Sequence, residues 1–459
     1  MPTSADKPAT VQATPMDQVA VRRANLALVL AEVRTAGPAS RADVARRTGL
    51  TRPTVSSLVG ELLDRGLVRE ADLRQDGSVG RPARRLELDG RTVAALGLEI
   101  NSRYLAACSV DLAGRTMQER RLVHDATEEG ADATVRALAV LTGELLDHAT
   151  RSGARVAGVG IAVPGPVAVA TGRVYAAPNL GWKDVPVAER LREAAGLPGE
   201  MSVVVDNEAN LAALAEWETA HPGVTDLMYV TGEAGLGAGI VAGGQLLQGA
   251  SGFSGELGHI QIDPDGDVCA CGRTGCLETK VSLPAALRTA APDLLLAEGS
   301  GPRASWGPQE QAAELLRRAA AGDPRTLSGL DEIGRWLGTG LSVPVNLLNP
   351  RVVVLGGYFA AVAPYLLPAA MREMRARIVA GDEALCRVTG SLLGFGAAVR
   401  GAAGVIVKEV FADPGRADSG RTDSGRADSG RADSGRADSG RADSGRADSG
   451  RADSGRTVR

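Results

Sequence analysis

The sequence predicts a layered α/β body preceded by a winged helix-turn-helix. Three observations carry this. From Val93 onward, apolar strand-like runs alternate with segments of helical period. Residues 17–63 read as helix, glycine turn and helix, and two short strands follow. Charge divides at the same point: the first 92 residues hold 15 Lys+Arg against 11 Asp+Glu, so +4, which leaves −8 for the rest of a chain at −4. A basic module on an acidic body suits a nucleic-acid reader joined to a sensor. No apolar run reaches membrane-spanning length, and M-P-T-S-A-D-K-P-A-T lacks a signal-peptide core, so a cytoplasmic protein without membrane contact is expected.

Residues 1–15 are polar and expected to be disordered. A helix follows at about 17–34, with Leu26, Val29, Leu30 and Val33 on one face. Ser40 is placed to cap a short helix ending at Thr48-Gly49. A second helix starts near Thr51 with Pro53 in its first turn, burying Val55, Leu58, Val59, Leu62 and Leu63. Strands at 67–70 and 84–88 around a polar loop complete a wing, closing a DNA-binding domain over 16–92. The second helix presents Thr51, Arg52, Thr54, Ser56 and Ser57, short hydroxyls and one guanidinium suited to base edges and phosphates. Ser40 and Arg41 precede it, and Arg81 and Arg84 of the wing are placed for a minor groove.

The body, 93–413, opens with a hairpin at 94–100 and 104–112 and a helix at 131–151. Strands follow at 156–163, 202–206, 227–231 and 237–242, with a helix at 208–217. Helices near 308–321 and 330–348, a buried strand at 351–355 and a Gly/Ala-rich helix at 396–411 close it. Residues 414–459 are expected to be a disordered tail, because 416–455 are eight copies of R-[AT]-D-S-G with no apolar residue beyond alanine.

Cys269, Cys271 and Cys276, with His259 ten residues before them, offer three thiolates and an imidazole. That is a closed tetrahedral shell for a structural Zn²⁺. Cys108 and Cys386 sit in apolar runs and read as core. Glu256 and Glu278 flank the cysteine loop, which would hold both as rigid acceptors for a polyhydroxyl ligand.

G-E-L-G-H followed by C-x-C-G-x-x-G-C-x-E resembles the signature of the ROK family (repressors, open reading frames and sugar kinases), over roughly 93–411. The resemblance implies two lobes of an actin-like (ribonuclease H-like) sugar-kinase fold with a ligand between them. It implies sugar contacts at Gly165, Asn179, Asn207, Glu208, Glu256, His259 and Glu278. The N-terminal pattern is similar to that of winged-helix repressors.

A kinase of this family needs an Asp-x-Gly-Gly-Thr phosphate loop, a second Gly-Thr-Gly loop and the aspartate of Asn-Asp-x-Asn. The first reads Glu99-Ile100-Asn101-Ser102-Arg103 and the second Glu233-Ala234-Gly235, so carboxylates and bulk stand where glycine amides would cradle phosphate. The third places Glu208 at the aspartate, and one extra methylene displaces a general base enough to cost about 100-fold. The resemblance therefore implies a sugar-responsive repressor of the xylose-type branch rather than an enzyme, binding operator DNA as a homodimer or dimer of dimers. The rival expectations are a bifunctional sugar kinase using ATP and a repressor switched by a partner protein.

Overall fold

The structure is a computed structural model that describes residues 17–71, 84–296, 306–379 and 386–418. Residues 1–15, most of the wing loop with Arg81, and the repeats from 419 onward, on which the expectations of disorder and of a minor-groove arginine fall, lie outside the described residues.

The N-terminal module is α1 (Gln18–Ala36), β1 (Ala39–Ser40), α2 (Arg41–Thr48), α3 (Arg52–Asp64), β2 (Val68–Ala71) and β3 (Arg85–Leu88). Its starts follow from local hydrogen bonding. Asp17 caps α1, accepting from the Ala20 amide at 2.6 Å. Ser40 and Asp43 form a reciprocal capping box on α2, and Gly49 ends that helix in the left-handed region at φ 74°. Thr51 caps α3, whose buried face is Val55, Leu58, Val59 and Leu62; Leu63 is only half-buried. The unexpected strand β1 pairs antiparallel with β3. Two residues are too short to carry a strand period.

The body has two lobes, each built on a five-stranded mixed sheet. The first contains β4 (Val93–Ile100), β5 (Tyr104–Asp111), β6 (Thr116–Val123), α4 (Ala126–Arg151) and β7 (Arg155–Val163). A small antiparallel flap follows as β8 (Val167–Ala168), β9 (Arg173–Ala177) and β10 (Trp182–Val185), then α5 (Val187–Ala194), β11 (Ser202–Asn207) and α6 (Glu208–Ala220). Its sheet order is β11-β7-β4-β5-β6. The helix α4 starts before the expected 131 because Asp125 caps an extra turn, which kinks at Gly130.

The second lobe contains β12 (Leu227–Gly232), β13 (Leu236–Ala242), β14 (Gln245–Leu246), α7 (Glu278–Val281), α8 (Leu283–Ala290) and α9 (Asp293–Leu296). It continues with α10 (Pro308–Ala320), α11 (Pro324–Leu348), β15 (Val352–Gly357), α12 (Tyr358–Arg375) and β16 (Arg387–Gly390), after which α13 (Ala397–Ala412) returns to the first lobe. Its sheet runs β14-β13-β12-β15-β16, with β12, β15 and β16 parallel. Cys108 and Cys386 are buried, as expected.

Helix α13 packs against the first lobe through bare backbone. A β-carbon at Gly97 of β4 would meet the Val399 carbonyl, and one at Gly160 of β7 would meet that of Ala402. The far end of α13 enters the winged helix: Val407, Val410 and Phe411 share one core with Leu26, Val29, Leu58 and Leu62. Module and body thus belong to one compact unit.

One boundary needs correction. The tail does not begin at 414, because Pro414–Asp418 forms a short 3₁₀ turn in which Ala417 is fully buried. Arg65 pairs with Asp418, and Arg155 donates to the Ala417 carbonyl at 2.5 Å. Arg416–Asp418, the start of the first repeat, are held because two arginines of the folded unit reach them. Among the described residues, no helix is long and apolar enough to cross a membrane.

Candidate functional site

The expected ligand residues come together. Gly165, Asn179, Asn207, Glu208, Glu256, His259 and Glu278 all line one cavity of about 290 Å³ between the lobes. Each is set by its local chain. Asn207 caps α6 with its Oδ1, accepting from the Ala209 and Asn210 amides, while its Nδ2 donates to Gly165 O at 3.1 Å and to Glu208 at 2.8 Å. Glu278 opens α7 and accepts from the Leu236 amide at 2.9 Å. Gly235 lets Asn179 and Glu278 converge, since a β-carbon there would lie 2.4 Å from Asn179 Nδ2 and 2.6 Å from Glu278 Oε2. The Glu208 carboxyl is pushed well up, first by its removal from water and then by the carboxylates Glu256, Glu233 and Glu99.

The ligand atoms of His259, Cys269, Cys271 and Cys276 lie within 4.8 Å of one another. Cys271 Sγ is 3.7 Å from Cys276 Sγ, and Cys269 Sγ is 3.7 Å from His259 Nδ1. A tetrahedron with metal–sulfur bonds of about 2.3 Å has edges of about 3.8 Å, so the four donors fit one ion. Nδ1 faces the sulfurs and Nε2 faces Glu256 at 3.8 Å, so one ring nitrogen turns to the cysteines and the other to the cavity. Glu278 Oε1 lies 3.4 Å from Cys269 Sγ, so the cysteine loop also buttresses a cavity carboxylate.

The two altered loops meet across the lobes, which inspection of the sequence did not foresee. Asn101 Nδ2 donates to Glu233 at 2.8 Å. The buried Tyr104 hydroxyl lies 2.7 Å from Glu99 Oε1 and 3.3 Å from Glu233 Oε2. Both carboxyls are pushed up, chiefly by burial and further by Glu99 acting on Glu233. Glu99 and Glu233 are 134 residues apart, so no local pattern announces the bridge.

On the winged helix, Thr51, Arg52, Ser56 and Ser57 are exposed along one side of α3, with Thr54 half-buried among them. Among the described residues, the Arg52 guanidinium has no ion-pair partner. The Ser40 hydroxyl is taken up in the cap of α2, while Arg41 and Arg84 both bind Glu70, at 2.8 and 2.6 Å.

A two-lobed α/β body with a polar interlobe cavity, joined through α13 to a winged helix, defines a ligand-receiving protein fused to a DNA-binding module. The chain belongs to the ROK family, whose profile matches residues 95–409; that of the MarR family matches 27–77. The Xylose repressor of Caldicellulosiruptor bescii is 30% identical over 340 residues, 73% of this chain and 83% of the relative. The crystal structure of a ROK family transcriptional regulator, a homologue of the E. coli MLC protein, aligns with TM-score 0.70 at 28% identity, over 87% of this chain and 98% of that one. A ROK family glucokinase from Streptomyces griseus, solved with glucose and AMPPNP, aligns with TM-score 0.58 at 30% identity, over 68% of this chain and 98% of its own.

Proposed function

We propose that this protein is a transcriptional repressor whose operator affinity is set by a sugar in the interlobe cavity. One observation carries this reading. The seven expected sugar contacts line one cavity, while the two segments at the kinase phosphate-loop positions are bonded to each other through Asn101, Tyr104, Glu99 and Glu233. A polyphosphate entering there would have to break that bridge and face two carboxyls. A sugar hydroxyl both donates and accepts, which the mixed amide and carboxylate lining satisfies. The relatives support it as well, since the regulator aligns over 87% of the chain and the glucokinase over 68%.

The winged helix reads one operator half-site through α3, and a two-fold dimer supplies the second. Sugar closes the cleft and shifts the module through α13, acting by its differential affinity for the two forms. A thermal-shift screen of monosaccharides and disaccharides tests this. A cognate sugar at 100 times its dissociation constant should stabilise the chain by about 2.7 kcal/mol, and it should release operator DNA. ATP should neither stabilise the chain nor be consumed; turnover of a sugar with ATP would restore the kinase reading.

The cysteine loop holds one structural Zn²⁺ on His259, Cys269, Cys271 and Cys276. Elemental analysis is expected to give one zinc per chain. Cys271→Ser should lose it and, by loosening Glu256 and Glu278, weaken the sugar-induced shift. A chain purified without stoichiometric metal would remove this assignment.

A further inference from the structure

Aromatic residues are scarce in this sequence, at 3%. Among the described residues, Tyr175 and Phe253 are the two aromatics left substantially exposed, at 45% and 50%. They lie together, with ring centroids 6.0 Å apart and planes 18° from parallel. Tyr175 comes from β9 of the first lobe, and Phe253 from the loop after β14 of the second. Phe253 lines the cavity alongside Pro166, Ala176 and Ser254. The pair is also tied in sequence to the polar site: Tyr175 is four residues before Asn179, and Phe253 three before Glu256.

We propose that the cavity has a second sugar subsite at its mouth, formed by Phe253 with Tyr175 behind it, so that the effector is a disaccharide or longer glycoside. This rests on the sugar reading above. One ring is held by the amides and carboxylates inside the cavity. The next ring lays its apolar C–H face on Phe253. Pyranose rings carry most of their hydroxyls at the edge, leaving faces of slightly positive C–H groups, and the face of an aromatic ring is negative. A flat, half-exposed ring beside a polar cavity therefore complements a second pyranose, for which the deeper Asn and Glu groups supply no apolar partner. Because the two aromatics come from different lobes, the outer ring would also favour the arrangement in which they are stacked.

Isothermal titration of the full chain with D-xylose and xylobiose, and with D-glucose, cellobiose and maltose, tests this. At least one disaccharide should bind tenfold or more tighter than its own monosaccharide. Phe253→Ala should abolish that advantage while leaving the monosaccharide constant within about twofold, and Phe253→Trp should keep it. Tyr175→Ala should reduce it in part. If disaccharides bind no tighter than monosaccharides, the subsite is wrong and the sugar reading stands. If Phe253→Ala weakens both alike, the pair is only an apolar clasp between lobes and the subsite is equally refuted. If no sugar of either size binds, both readings fall.

Discussion

At pH 9 the Glu233→Gln variant should melt about 5 °C or more above the unchanged chain, and the gap should close as pH falls towards about 4.5. Glu99 is pushed up to about 7, chiefly by burial, and Glu233 to about 8, by burial and then by Glu99. A carboxyl whose pKa is raised by folding is held in its neutral form. Its stabilising contribution is therefore fully present below the ordinary carboxylate value of about 4.5 and is lost progressively above it, the loss being complete once pH has passed the folded values of about 7 and 8. Arg121, stacked over the Tyr104 ring at 4.0 Å, opposes the shift, and Glu119 adds to the rise at Glu99. Glutamine keeps an acceptor for Asn101 and Tyr104 but cannot ionise. One pKa unit corresponds to about 1.4 kcal/mol, and even about 2 kcal/mol moves the midpoint of a body this size by several degrees. Parallel melting of the two proteins from about pH 4.5 to 9 would show that the fold does not hold the Glu233 carboxyl neutral.

Arg52→Ala should weaken operator binding about 100-fold while leaving the sugar-induced thermal shift intact. Arg52 is exposed at the start of α3, and among the described residues it is not committed to any carboxylate, unlike Arg41 and Arg84. One bidentate base contact is worth about 1–3 kcal/mol, and a two-fold dimer makes it twice. Glu256→Gln should do the opposite, binding operator normally but failing to release it with sugar. Gel-shift titrations of both variants, with and without the sugar found by screening, separate the two ends. A Glu256→Gln protein that still lets go of DNA would move the switch to another site or to a partner protein.

Much of this could be read before the fold was seen. Caps and breakers are local chemistry, so Ser40, Gly49, Thr51 and Pro53 marked α2 and α3 to within a residue. The cysteine loop was equally legible, because its donors are close in sequence. Helix α12 was not, since Pro364 and Pro368 inside it read as breaks. Tertiary packing of Tyr358, Phe359, Val362 and Leu366 overrides that signal. The Tyr175–Phe253 stack joins residues 78 apart in separate lobes, and the docked Arg416–Asp418 begins a repeat that recurs unchanged six times further along.

The bare-backbone seam under α13 has a mechanical meaning. Where side chains interdigitate, a helix can move only in jumps between grooves. At Gly97 and Gly160 no side chain projects from the strands, so at these two points none meshes with the helix. The residues before and at the start of α13, Phe395 and Ala398, line the cavity, while its last turns sit in the core of the winged helix. Sixteen residues span about 24 Å, so a tilt of about 5° at the cavity end displaces the other end by about 2 Å. Such a lever works only while its pivot stays smooth, and a single methyl group at Gly160 would be grit in the bearing.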